Sequence, residues 1–127
     1  MRKTNVRGFT LIELMVVVAI AAILAAIAVT TYSTQIRKSR RADAMAKIQD
    51  AQLKLERWRV DHADYTGSGV TVPTSPYYSF TITAATSAPN DYVVQADPQL
   101  DQQKDSCGTL KITNTAGAIS KSPSNCW

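Results

Sequence analysis

Polarity along the chain changes in blocks, and each block predicts an element. Residues 1–8 are polar and basic, with Arg2, Lys3 and Arg7 ahead of Gly8. Residues 9–29 are apolar almost throughout, with Glu13 as the one charged residue among them. As a helix this block would span about 31 Å, enough for the hydrocarbon core of a bilayer. Neither glycine nor proline occurs from Phe9 to Thr66, whereas all five prolines and every glycine except Gly8 come later. Both residues disfavour helix interiors, so one long helix is predicted from Phe9 to about His62, about 80 Å in length. Its first half is apolar all round and projects. Its second half is amphipathic: Ala44, Ile48, Ala51, Leu55 and Trp58 recur at three- and four-residue steps, while Lys47, Asp50, Lys54, Glu56 and Arg57 fall mostly off that stripe.

The period then shortens. Tyr78, Phe80 and Ile82 alternate with Ser79, Thr81 and Thr83, the pattern of a half-buried strand. Residues 92–96 read as a second strand and residues 109–113 as a third, with residues 114–117 as a turn. The apolar stripe of the helix needs a cover, and an antiparallel sheet of three or four strands supplies one. The predicted class is α+β: a long N-terminal helix, apolar and projecting in one half and packed in the other, with a small antiparallel sheet as head. Residues 63–76 connect helix to sheet, and residues 98–105 form a polar loop.

Charge narrows the partners. The whole chain carries a formal +4, but three of its 14 basic residues lie before Phe9, leaving 11 against 10 acidic ones. From Ala42 onward seven basic residues face nine acidic ones, a balance of −2. A broad basic face of the kind that binds nucleic acid is therefore not expected in the head. The basic character concentrates in Arg37-Lys38-Ser39-Arg40-Arg41, which suits anionic headgroups, acidic residues of neighbouring molecules, or simple solvation. Two cysteines, Cys107 and Cys126, read as a disulfide in an exported chain, with a pair of buried thiols as the alternative. No CxxC spacing exists and His62 is the sole histidine, so no metal site is expected. No nucleophile–base pair or phosphate loop stands out, and no enzyme or cofactor is predicted.

The order of the N-terminal blocks is informative. A secretory signal peptide places its small-residue cleavage site after the apolar stretch. Here the small residue, Gly8, precedes it, and a cut there leaves the apolar segment as the new N-terminus. Glu13 at membrane depth costs several kcal/mol unless paired or protonated. The amino group that such a cut creates on Phe9, four residues upstream, is a ready cationic partner; a protonated and passive Glu13 is the alternative.

A basic leader ending in Gly8, then Phe9-Thr10-Leu11-Ile12-Glu13, then a long apolar run resembles the type IV pilin family. The resemblance implies cleavage between Gly8 and Phe9 by a prepilin peptidase, followed by N-methylation of Phe9. It implies a leader at residues 1–8, a transmembrane and later filament-core helix half at residues 9–32, and a pilin head at residues 33–127. Glu13 of an arriving subunit is expected to pair with the Phe9 amine of the last subunit in a helical filament. The implied partners are other pilin subunits, the peptidase, the inner-membrane assembly machinery and, before assembly, the membrane itself. The head is expected in the bacterial periplasm first and on an extracellular pilus afterwards. Many members carry proline about where Thr30 stands, so a kink of that kind is not expected here.

Residues 36–44, together with Cys107-Gly108-Thr109-Leu110 and a late second cysteine, resemble PilE-type minor pilins. This implies a minor pilin supporting pilus assembly, twitching motility, adhesion or DNA uptake. A major pilin and a type II secretion pseudopilin are the alternatives. Major pseudopilins usually lack such a disulfide and carry a calcium loop, whereas Asp97, Asp101 and Asp105 are four residues apart and form no compact ligand loop. Direct nucleic-acid binding is not expected.

Overall fold

The structure, a computed structural model, describes residues 8–85 and 87–127. Helix α1 runs over Leu11–Asp61. The expected start at Phe9 is corrected by two residues, for a local reason. Thr10 stands outside the helix as its N-cap: its Oγ1 accepts the Glu13 N–H at 3.3 Å, and its carbonyl accepts the Leu14 N–H at 3.2 Å. A hydroxyl that satisfies one of the orphan donors of the first turn stabilises a helix by about 1 kcal/mol relative to alanine. At the other end, Arg59 Nη1 donates to the His62 carbonyl at 2.6 Å, and Trp58 Nε1 donates to the Asp64 carbonyl at 3.1 Å.

The chain divides into two compact units at Gln35/Ile36. In the first, every large apolar side chain from Leu11 to Val29 is more than half exposed. Such exposed, all-round apolarity suits lipid or a bundle of like helices. Among the described residues α1 is the one helix long and apolar enough to cross a membrane.

The second unit, Ile36–Trp127, holds a four-stranded antiparallel sheet in sequence order: β1 (Tyr78–Ala85), β2 (Ala88–Pro98), β3 (Leu110–Thr115) and β4 (Ala118–Ser122). β2 exceeds its expected length because β1 pairs along most of it, from Tyr78↔Pro98 to Ala84↔Tyr92, before the register shifts at Ala84/Ala85. The fourth strand has a weak signal, since Ala118-Ile119-Ser120-Lys121-Ser122 is exposed throughout and lacks a buried alternation. Its turn positions it. Ala116 and Gly117 have φ of +51° and +91°, and a two-residue loop with both centres left-handed matches the twist of a hairpin. Asp91 Oδ1 accepts the Ala116 N–H and Asn114 Oδ1 accepts the Gly117 N–H, at 2.8 and 2.9 Å.

The core lies between α1 and one face of the sheet. Ala44, Ile48, Ala51 and Leu55 are at most 1 % exposed, and Val94, Leu110 and Ile112 meet them fully buried. The cross-strand neighbours Val94↔Ile112 and Ala96↔Leu110 place these side chains side by side. Trp58, expected in the same stripe, is only half-buried: its ring stacks on His62 with centroids 3.5 Å apart. Tyr65, at 5 % exposure, belongs to the core instead.

Candidate functional site

Two places carry chemistry beyond packing: the start of α1 and the contact between α1 and the loop after β2. At the start, Gly8 and Phe9 precede the helix in non-helical backbone, and Phe9 is 83 % exposed. Among the described residues a Cβ placed on Gly8 meets nothing within 4 Å, so no described neighbour demands glycine there. Glu13 is exposed, and its backbone N–H is held by Thr10. Thr10 and Glu13 thus have the Thr-x-x-Glu spacing of a capping box, of which the threonine half is formed. The spacing of Thr10-Leu11-Ile12-Glu13 carries that signal in the sequence.

The second place explains Arg37–Arg41. A 3-10 turn at Leu100–Lys104 lies against the helix. Arg37 meets Asp101 at 3.2 Å, and Arg41 meets Asp105 at 2.8 Å. Between them, fully buried Gln102 donates through Nε2 to the Arg37 carbonyl and to the Tyr78 hydroxyl, both at 3.0 Å. Arg40 turns the other way and lies over the Tyr77 ring, 3.7 Å from its centroid. Three of the four basic side chains are therefore engaged within the head, which corrects the expectation of a cluster facing headgroups, neighbouring molecules or solvent. The signal was present as two arginines four apart and two aspartates four apart, of opposite sign. Lys104 and Arg37 together hold the Asp101 carboxyl below its ordinary range. Asp97 faces elsewhere, accepting from Gln95 and from Thr109. Among the described residues no group of three metal-ligating side chains comes together.

Within the packed head, a polar cluster ties sheet to helix. Glu56 accepts from the Tyr92 hydroxyl at 2.6 Å and from the Tyr65 hydroxyl at 3.2 Å. Asn114 Nδ2 donates to that same Tyr65 hydroxyl at 3.1 Å. Burial, and then the bond to Glu56, push the Tyr92 phenol far above its ordinary pKa.

Cys107 and Cys126 are joined in a disulfide, with Cα atoms 6.0 Å apart. Cys107 is buried at 8 %, and Arg41 Nη1 stands 2.7 Å from its sulfur. The bridge fixes the segment after β4 to the turn that precedes β3, beside the arginine clamp.

Comparison with known proteins bears on both places. Residues 30–111 match a family model described as type IV minor pilin ComP, DNA uptake sequence receptor. Residues 3–29 match the prokaryotic N-terminal methylation motif, which contains Gly8, Phe9 and Glu13. A type IV major fimbrial protein FimA of Dichelobacter nodosus is 32 % identical over 117 residues, covering 91 % of this chain and 73 % of its own. The prepilin peptidase-dependent protein D of Escherichia coli is 36 % identical over 77 residues, or 57 % of this chain and 53 % of that one. The type IV wide pilus major component of Thermus thermophilus is 36 % identical over 64 residues, 50 % of this chain and 49 % of its own. In these last two, the matched region spans about half of the relative's length.

Proposed function

This chain belongs to the type IV pilin family, and from that premise we propose that it works as a minor subunit of a type IV pilus, held first in a membrane and then packed by its apolar arm among the arms of other pilins. The match of residues 30–111 to a minor-pilin family carries this reading. Processing follows the N-terminal block: a prepilin peptidase cuts between Gly8 and Phe9, and the new amine of Phe9 is methylated. Glu13 of an incoming subunit pairs with that amine on a subunit already in place. The pairing restores to a carboxylate in an apolar core the countercharge it lacks in lipid. Transfer of the arm from bilayer to filament exchanges one apolar environment for another, and the alanines at 19, 21, 22, 25, 26 and 28 allow helices to approach closely. The head resides in the periplasm before assembly and outside the cell afterwards.

Quantifying the chain in sheared, purified fibres tests the role. A minor pilin is present at a small fraction of the principal subunit, and deleting it reduces fibre number or function without removing the building material. Equal abundance with the bulk subunit would favour the second reading, a major pilin, which the long alignment with FimA supports. A DNA-receiving head is a third reading, drawn from the description of the matched family. Against it stand the −2 balance beyond Ala42 and the pairing of Arg37 and Arg41 with aspartates. Salt-dependent retention of duplex DNA by the purified chain would support it.

A further inference from the structure

We propose that the Cys107–Cys126 bridge is a directional exchange site, entered by an external thiolate at Cys126 and left by Cys107 as a thiolate held by Arg41. Cys126 is then the residue through which a thiol–disulfide oxidoreductase joins this chain. The two cysteines differ in exposure and in surroundings. Cys107 is 8 % exposed, whereas Cys126 is partly open, in a 3-10 turn at Ser124–Cys126, with its sulfur 3.7 Å from Asn125 Oδ1 on the surface. Arg41 Nη1 lies 2.7 Å from Cys107 Sγ and 2.8 Å from Asp105 Oδ1. Asp105 Oδ1 also accepts the Cys107 N–H at 2.9 Å, which fixes this sulfur against the guanidinium.

Exchange is governed by which sulfur can be reached and by which leaves more readily as a thiolate. A neighbouring arginine favours the thiolate form. Access selects Cys126 for attack; at Cys107 burial opposes the thiolate and the guanidinium offsets that cost, so departure from Cys107 rests on Arg41. In the step, the incoming thiolate forms a bond to Cys126 Sγ, the S–S bond breaks, and its electron pair remains on Cys107 Sγ beside Arg41. A second thiol of the same partner then releases Cys126. Run in reverse with the oxidised partner, Cys126 attacks first. Cys107 thiolate then displaces the partner and closes the bridge.

Asp105 makes the proposal testable by sign. Its carboxylate shares the guanidinium and opposes a second negative charge, so the two members of the clamp act in opposite directions on the exchange. The full-length chain in detergent micelles is treated with limiting glutathione, quenched with an alkylating agent and mapped by mass spectrometry. The expected result is glutathione on Cys126 with alkylated Cys107, in excess over the reverse on the order of tenfold. Arg41→Gln slows the reaction, Arg41→Lys restores most of the rate, and Asp105→Asn speeds it. A purely structural clamp would instead speed exchange in both Arg41→Gln and Asp105→Asn, because each loosens the loop. That outcome, an even split between the sulfurs, or an adduct mainly on Cys107 overturns the proposal. The adduct position in the unaltered chain decides the point even where a variant does not fold.

Discussion

Glu56 shows what one side chain does when it falls at the margin of a helical stripe. It sits one position after Leu55, close enough to the buried face for its carboxylate to meet two tyrosine hydroxyls from other elements. Replacing it by alanine removes the carboxylate that accepts from the buried Tyr92 hydroxyl, at a cost of about 1–3 kcal/mol. The midpoint of urea unfolding, followed by tryptophan fluorescence, measures this. The same contact sets an alkaline limit. The folded-state pKa of Tyr92 is raised, first by burial and then by Glu56, and Tyr65 and Tyr78 are raised too. A raised pKa means that the contribution to stability is whole below the unfolded value of about 10 and is lost as pH climbs beyond it. Ionisation of Tyr92 is therefore expected to be coupled to loss of the fold, and phenolate absorbance and unfolding should rise together in that range. Tyr92→Phe should flatten this alkaline loss while lowering stability at neutral pH. Little of this was legible in the sequence. The stripe Ala44–Ile48–Ala51–Leu55 was readable from spacing, but polar partners from distant segments leave no periodic trace, and Trp58 was misplaced because periodicity cannot tell the last turn of a stripe from its frayed edge.

At the scale of elements, the association of α1 with the loop after β2 rests on unequal ion pairs. The Arg41–Asp105 pair is held between side chains that are 17 % and 4 % exposed, whereas Asp101 in the neighbouring pair is 49 % exposed. Removing one partner of a buried pair strands the other, so Asp105→Ala should destabilise the head by about 3 kcal/mol. Asp101→Ala should leave the unfolding midpoint almost unchanged, because solvent screens an exposed pair. Near-equal losses in the two variants would contradict this ranking. The elements themselves were largely legible. The absence of glycine and proline over residues 9–66 foretold the helix, and period-two alternation foretold β1. β4 escaped because it buries nothing, and a strand on the open edge of a sheet has no apolar alternation to announce it.

For the molecule as a whole, the N-terminal block and the head make separable demands. A Cβ on Gly8 meets no neighbour among the described residues, so Gly8→Ala should leave folding intact while blocking processing. Mass spectrometry of the purified chain should then find residues 1–8 still attached, and a normally trimmed variant would show that the peptidase tolerates the side chain. Glu13→Ala should insert into membranes normally and be depleted from sheared fibres. Undiminished incorporation would argue against pairing with the Phe9 amine. The signature around Gly8 and Glu13 was fully visible in the chain. The stature of the subunit within a filament was not, since abundance is no property of side-chain chemistry.

Thr10, which caps α1, lies on the retained side of the Gly8–Phe9 bond. On the proposed cut, the bond that Thr10 makes to the first turn therefore stays with the shortened chain. Such a cut would exchange the three basic side chains of residues 1–8 for a single amine beside a helix end that Thr10 already caps.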